Sequence, residues 1–403
     1  MYNLSIDPFY YKPYNKIEDK RGGLSPRIRH AARRKAAPSL CRVEERVSMI
    51  RAGFIGLGTI AQLNHLPVLQ SLRDMYQITA VNDLSPALTA EIAKMYSAKA
   101  YASPEELVKA DDVDLVFVLS PDQYHHDIAK LAIEADKHVF IEKPVVLDPA
   151  ELEDLMELEK KHPNKVHMVG YMRRFSQGFL QCKKMLEEDD RPIKYMRFRD
   201  IILEGEYFIN QTKKPLRFND IPPEKLAESK KRRYDQISAA IGADCTAQQR
   251  LTYPMFTGLG CHTLAAVREL VGYTPKVLNV TVDGEHAIVT FQFKGFIGVY
   301  EVVNDQDIVQ FDAAIEIYQG DRRMKIKHET PYLRYQPGVF EVAEATKDDC
   351  KFTTYGPDYH DSFENEVRYL YDCITEGKKP KTSFADSMED LRMYQDIVSK
   401  INQ

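Results

Sequence analysis

From residue 50 to about 145, and on to a closing run at 165–171, short apolar runs alternate with amphipathic segments. The runs at 52–55, 77–83, 113–119 (VDLVFVL) and 138–141 (HVFI), with a short one near 98–102 and another at 165–171, read as strands. Unbroken apolar character means burial on both faces, the mark of central parallel strands. Helices are predicted between them, at about 86–97 and 123–135. Ser103-Pro104-Glu105-Glu106 starts another, with Ser as cap, Pro in the first turn and Glu at the third position. Asp148-Pro149-Ala150-Glu151 starts one more. Pro67 is expected to kink or restart the first helix. Strand and helix in strict alternation predict a parallel sheet covered by helices on both faces.

Beyond about 175 the pattern changes. Runs at 194–202, 276–282, 286–293, 296–303 and 313–318 have strand character, and Gly295 reads as a hairpin turn. Most lack a crossover helix between them, so the second sheet is expected to be mainly antiparallel. The stretch 204–250 is polar and basic, with Lys213, Lys214, Lys230, Lys231, Arg232 and Arg233, and reads as an insertion or mobile lid. Two amphipathic helices close the chain, one at about 360–376 stopped by Gly377, the other after Ser383.

The chemistry begins at the first strand, which ends in Gly56-Leu57-Gly58-Thr59-Ile60-Ala61. Strand, Gly-x-Gly-x-x-Ala and helix make the dinucleotide fingerprint. Gly56 permits the tight turn, Gly58 admits a pyrophosphate, and Ala61 lets helix and strand pack. Thr59 and Ile60 open the helix whose N-terminus would face the phosphates. Asp83 ends the next strand about 20 residues on, where an acid binds the ribose hydroxyls of NAD and repels the 2′-phosphate of NADP. Asn82 beside it keeps NADP open. In such a sheet ligands bind at the carboxyl ends of the strands. Three more stretches fall there: Ser120-Pro121-Asp122-Gln123-Tyr124-His125, Glu142-Lys143-Pro144, and Tyr171-Met172-Arg173-Arg174-Phe175. The first would pass beside the cofactor, with His125 and His126 opening a helix there. The expected fold class is α/β, an N-terminal Rossmann doubly wound parallel sheet followed by an α/β domain with a large open, mainly antiparallel sheet. The expected boundaries are 49–172 and 173–403.

Composition narrows the partners. With 403 residues, 44% hydrophobic and 29% charged, the chain suggests two or three domains with ample core. A net charge of −5 argues against nucleic acid. No apolar run approaches a membrane span. The six cysteines are scattered without a Cys-x-x-Cys pair and read as reduced thiols in a cytoplasmic protein. No His/Cys/Asp cluster has metal-ligand spacing, so no metal is expected. Residues 1–48 form a separate expectation. Their stretch 21–46 is rich in Arg with few large apolar residues, and is read as a disordered extension or as sequence upstream of a functional start at Met49. They lack the apolar core of a secretory signal.

Taken together, GFIGLGTIA, LSPDQYHHDIA, KHVFIEKPVVL, HMVGYMRRFSQGF and GLGCHTLAAVRELVG resemble the glucose–fructose oxidoreductase and inositol dehydrogenase (Gfo/Idh/MocA) family over roughly residues 50–403. The resemblance implies NAD(P)-dependent oxidation of a sugar or polyol hydroxyl, and an open sheet that forms the interface of a homodimer or homotetramer. It implies that Glu142 and Lys143 belong to the cofactor site, that His262 is the histidine of the catalytic helix, and that Tyr171 and Arg174 lie near the substrate. The chemistry agrees: Lys143 would hold the hydroxyl and stabilise developing alkoxide, and His262 would accept its proton. Arg173 and Arg174 also read as an ordinary salt-bridged pair.

The chain departs from the family pattern at two positions. The aspartate expected four residues before the histidine is Gly258, and an acid often found three residues after it is Ala265. Asp220, Asp235 or Asp244 substitutes, or Lys143 and His262 act alone, or alcohol oxidation has been lost. The alternative functions are therefore a non-catalytic NAD(P)-binding regulator and a glycoside-cleaving enzyme that recycles its NAD.

Overall fold

The computed structural model describes residues 49–202, 205–211, 213–305 and 311–401; the extension expected over 1–48 lies outside them. In the first half β1 (Ile50–Ile55) leads through the glycine turn into a π-helical turn (Ala61–His65) and α1 (Leu66–Ser71). Pro67 sits in the first turn of α1, where it has no helical hydrogen bond to lose, and the wider turn ahead of it absorbs the break. Next come β2 (Tyr76–Asn82), α2 (Pro86–Tyr96), β3 (Lys99–Ala100), α3 (Pro104–Val108), β4 (Leu115–Val118), α4 (His125–Glu134), β5 (His138–Glu142), α5 (Pro149–Glu159) and β6 (His167–Gly170). Ser85, Ser103 and Asp148 cap α2, α3 and α5 with their side chains.

The six strands lie in the order β3-β2-β1-β4-β5-β6 and all pair parallel. Order reverses between β1 and β4, the switch point at which such sheets bind ligands. All four residues of β4 are buried. Phe54 stacks on Phe117 at 4.7 Å, and Phe117 meets Phe140 at 4.9 Å, so a run of rings fills the centre.

The second half holds α6 (Gln177–Glu187), β7 (Ile193–Ile202), α7 (Gly205–Gln211), α8 (Pro223–Ile241), α9 (Ala247–Met255) and α10 (Cys261–Val271). Seven strands follow: β8 (Lys276–Asp283), β9 (His286–Gln292), β10 (Ile297–Asn304), β11 (Asp312–Gln319), β12 (Arg322–His328), β13 (Gly338–Ala345) and β14 (Cys350–Asp358). Their sheet runs β14-β13-β12-β11-β7-β10-β9-β8, antiparallel except for β7 beside β10. Helices α6 and α10 pack on this sheet. The chain ends in α11 (Ser362–Glu376), closed by left-handed Gly377, and α12 (Phe384–Ser399), capped by Ser383.

The structure corrects one sequence expectation outright. The described residues of the polar stretch 204–250 are largely helical, as α7, α8 and the start of α9, and α8 is docked on the first half. Two of its basic residues have acidic partners there. Arg233 grips Asp122 through two nitrogens, each 3.1 Å from an oxygen, and Arg232 lies 2.8 Å from Asp127. Gln236 donates to Glu151 at 2.6 Å and to the Gln123 carbonyl at 3.2 Å.

Candidate active site

The glycine turn is built by close approach. Gly56 has φ +94°, and a Cβ there would stand 2.4 Å from Ser120 N and 2.5 Å from Leu119 O, so only glycine fits. At Gly58 a Cβ would meet nothing within 4 Å: the backbone borders open space, as a pyrophosphate cradle requires. Ala61 is fully buried, a packing residue rather than a contact surface. The Leu57 N–H donates to Asp83 Oδ2 at 2.7 Å, and the Ser85 N–H donates to Oδ1 at 2.9 Å. Each oxygen of Asp83 keeps acceptor capacity for a ribose hydroxyl. This loop, acid and helix start fit a dinucleotide.

Beside the turn, a cavity of about 520 Å³ opens at the carboxyl ends of the parallel strands. The structure brings Ile60, Ser120, Pro121, His125, Glu142, Lys143 and His262 to its wall. His125 ties two of the site loops together, with its ring nitrogens 2.8 Å from the Ser120 and Pro144 carbonyl oxygens. His126 points elsewhere, to Asp127 and Asp154.

Glu142 is a strut more than a contact. It is almost fully buried; His65 Nε2 lies 2.7 Å from Oε1, and the Lys143 N–H donates to Oε2 at 3.1 Å. Burial alone would raise its pKa, but the His65 hydrogen bond and charge, with Lys143, hold it below the usual carboxylate value. The arrangement fixes the backbone from which Lys143 projects. Lys143 Nζ donates to the Gly258 carbonyl at 2.6 Å, which joins the first half of the fold to the π-helical turn (Phe256–Gly260) that precedes α10.

His262 stands one turn along, on α10. It is buried, its Nδ1 has no hydrogen-bond partner, and its pKa is pushed well below the ordinary value by burial and then by Lys143, Arg173 and His328. The ring is neutral near pH 7 and able to take a proton. For a reaction that needs it as base, the acid limb of kcat/KM should therefore lie well below pH 6.5, with activity level from there upward. A limb centred near 6.5 in a pH-rate profile would contradict this.

None of the candidate substitutes for the missing aspartate reaches His262. Asp220 bonds Ser85 and Ala87, Asp235 pairs with Lys231 at 2.5 Å, and Asp244 lies beside Gly242. Gly258 faces open space, and Ala265 is buried in the core. Arg173 and a second buried imidazole, His328, act on the ring instead. Arg173 Nη1 donates to Asp200 at 2.5 Å and to Thr263 at 2.6 Å, and the Tyr300 hydroxyl donates to Asp200 at 2.7 Å.

Two residues assigned by resemblance lie away from the cavity. Arg174 is buried in an ion-pair cluster with Glu269 and Asp386. Tyr171 is buried too: burial and then Asp390 push its phenol up, and its N–H donates to Glu366 at 2.6 Å. Conversely, Arg233, Tyr332 and Pro331 line the cavity without having been singled out as site residues. Arg233 was legible only as one member of a basic run. The loop bearing Tyr332 carried no signal.

Residues 50–171 match the family model described as "Oxidoreductase family, NAD-binding Rossmann fold" (GFO_IDH_MocA). This part of the chain is a Gfo/Idh/MocA domain. It is 37% identical over 142 residues to an inositol 2-dehydrogenase/D-chiro-inositol 3-dehydrogenase of Shouchella clausii, covering 35% of this chain and 41% of that protein. It is 29% identical over 143 residues to an inositol 2-dehydrogenase of Salmonella typhimurium, covering 35% and 42%. The match thus spans about two-fifths of these relatives' length. Solved structures extend the likeness to the second sheet. A levoglucosan dehydrogenase in complex with NADH and levoglucosan superposes with a TM-score of 0.68 at 19% identity, covering 88% of this chain and 97% of that one. A 3-ketoreductase from Actinomadura kijaniata in complex with NADP and TDP-benzene gives 0.66 at 16%, covering 88% and 98%. At these identities the likeness is one of fold.

Among the described residues no helix is long and apolar enough to cross a membrane, and no group of three or more His, Cys, Asp or Glu is placed to hold a metal ion. Cys182, Cys245, Cys261, Cys350 and Cys373 are free thiols.

Proposed function

We propose that this Gfo/Idh/MocA protein is an NAD(P)-dependent dehydrogenase acting on a secondary hydroxyl of a sugar, inositol or related polyol. The observation that carries the reading is that Lys143, from the end of β5, and His262, from α10, line one cavity beside the glycine turn. A bound nicotinamide would supply the hydride acceptor. Lys143 donates to the hydroxyl oxygen and offsets negative charge as it develops. His262, neutral and desolvated, takes the hydroxyl proton. Arg233 and Tyr332 face the same space and are positioned to contact the substrate's other hydroxyls. The inositol dehydrogenases matched by sequence and the levoglucosan dehydrogenase matched by fold support a cyclic polyol or sugar.

The reading is tested by following near-ultraviolet absorbance with NAD or NADP and a panel of sugars, inositols and sugar acids. Absorbance growth with at least one of them is expected. The bare Gly258 and the unpartnered Nδ1 of His262 favour one second reading, a nucleotide-binding regulator without turnover. A flat panel from protein that binds NADH tightly would select it. The outer face of the second sheet, where Ile297, Tyr195 and Tyr318 stand side by side and exposed, supports a homodimer or homotetramer, measurable by light scattering.

A further inference from the structure

Residues 213–222, between α7 and α8, run along the adenosine side of the glycine turn. The Leu216 N–H donates to Gln62 Oε1 at 2.8 Å, and Gln62 Nε2 donates back to the Leu216 carbonyl at 3.1 Å. The same Nε2 donates to the Leu57 carbonyl at 2.7 Å, so the segment is fastened to the turn itself. Four residues on, Asp220 reaches the N-terminus of α2. Its Oδ1 accepts from Ser85 Oγ at 2.6 Å and its Oδ2 accepts from the Ala87 N–H at 2.9 Å. Ser85 is also the residue whose N–H is held by Asp83. Two carboxylates, one from each half of the fold, therefore converge on Ser85 at the end of β2.

That place matters for cofactor choice. In this fold the acid ending β2 takes the ribose hydroxyls of the adenosine, and NADP is accommodated by a cation or free donors nearby. The free N–H groups and hydroxyl at the start of α2 are the fold's own anion-binding donors there. Asp220 has taken them. Of the segment's three cations, Lys213, Lys214 and Arg217, the last is paired with Glu206 at 2.6 Å.

We propose that Asp220 is a specificity residue, a built-in anion that fills the place a 2′-phosphate would need and so selects NAD over NADP. The proposal rests on the dinucleotide reading of the glycine turn but not on any substrate. NADH and NADPH are titrated separately into the full-length protein, with binding followed by nicotinamide fluorescence. The parent should prefer NADH by about a hundredfold or more, two close carboxylates facing a phosphate dianion. Asp220→Asn removes the charge and keeps one acceptor. It should tighten NADPH by about tenfold while NADH stays within about threefold. Asp220→Arg should raise NADPH affinity further, and thermal unfolding of both variants checks that they fold. A parent that prefers NADPH, or variants whose NADH-to-NADPH ratio stays at the parent value, would overturn the proposal and leave the dinucleotide reading standing. Binding of neither nucleotide would overturn both.

Discussion

Replacing Lys143 by methionine should lower turnover at least about a hundredfold, the usual loss for one donor that stabilises a developing oxyanion, measured at saturating NAD. Methionine keeps the apolar stem and loses only the ammonium. In the parent that ammonium has two possible partners, the Gly258 carbonyl 2.6 Å away and whatever enters the cavity. The carbonyl holds it in place without neutralising it, and this suits a group whose charge is to act on substrate oxygen. A variant retaining turnover within about threefold of the parent, under 1 kcal/mol of transition-state stabilisation, would remove Lys143 from the chemistry. The comparison requires the variant's unfolding temperature to match the parent's, because Lys143 also ties the two halves of the fold together.

Arg174→Ala should act differently, on stability rather than on catalysis. Arg174 is buried between Glu269 and Asp386, and its removal leaves Glu269 to Lys183 and Lys381 and Asp386 to Arg268 alone. Leaving a buried charge uncompensated costs about 3–5 kcal/mol; with these cations remaining the loss should fall below that, and chemical denaturation of the variant would show it as a clear fall in midpoint. KM for a substrate of the surviving folded fraction should change little. A normal midpoint with a raised KM would return Arg174 to the substrate site. The same cluster has an acid limit. Burial would raise Glu269, but Arg174 and Lys381 hold it at about 2 against an ordinary 4.5. Its contribution is complete above pH 4.5 and is lost as pH falls toward 2.

These two residues show where sequence reading reaches and where it stops. The turn Gly56–Ala61, the strand at 113–119 and the caps Ser103 and Asp148 were legible because each is a local rule: steric need for glycine, double-sided burial, a side-chain acceptor for a free N–H. Lys143 and His262 were legible as motif members, and the fold brings them to one cavity. For Arg174 a substrate contact and an ordinary salt bridge both stood open, and the salt bridge is what forms; the choice was not legible because the direction of a side chain in the short turn Met172–Phe175 follows from tertiary packing. There Arg173 turns toward His262 and its neighbour turns away. Helix α8 escaped for a related reason. Only Gln236, Ile237 and Ala240 of its 19 residues are buried, so it has little apolar stripe to read. Its docking depends on acids that lie about a hundred positions earlier in the chain. Strands β12 to β14 were missed because charged and polar residues occupy much of their length, as in RRMKIKH. Asp220 was weighed as a substitute for the aspartate missing at Gly258, and its actual partners at α2 are again remote in sequence.

The central claim is hydride transfer from a carbinol carbon in the cavity shared by Lys143 and His262. The most direct measurement incubates the protein with NAD and carbon-deuterated inositols, glucose and levoglucosan, then examines the nicotinamide by mass spectrometry. Deuterium on the reduced nicotinamide, absent in Lys143→Met, is the result this account predicts. Nicotinamide that binds yet stays unlabelled with every one of these substrates would contradict it.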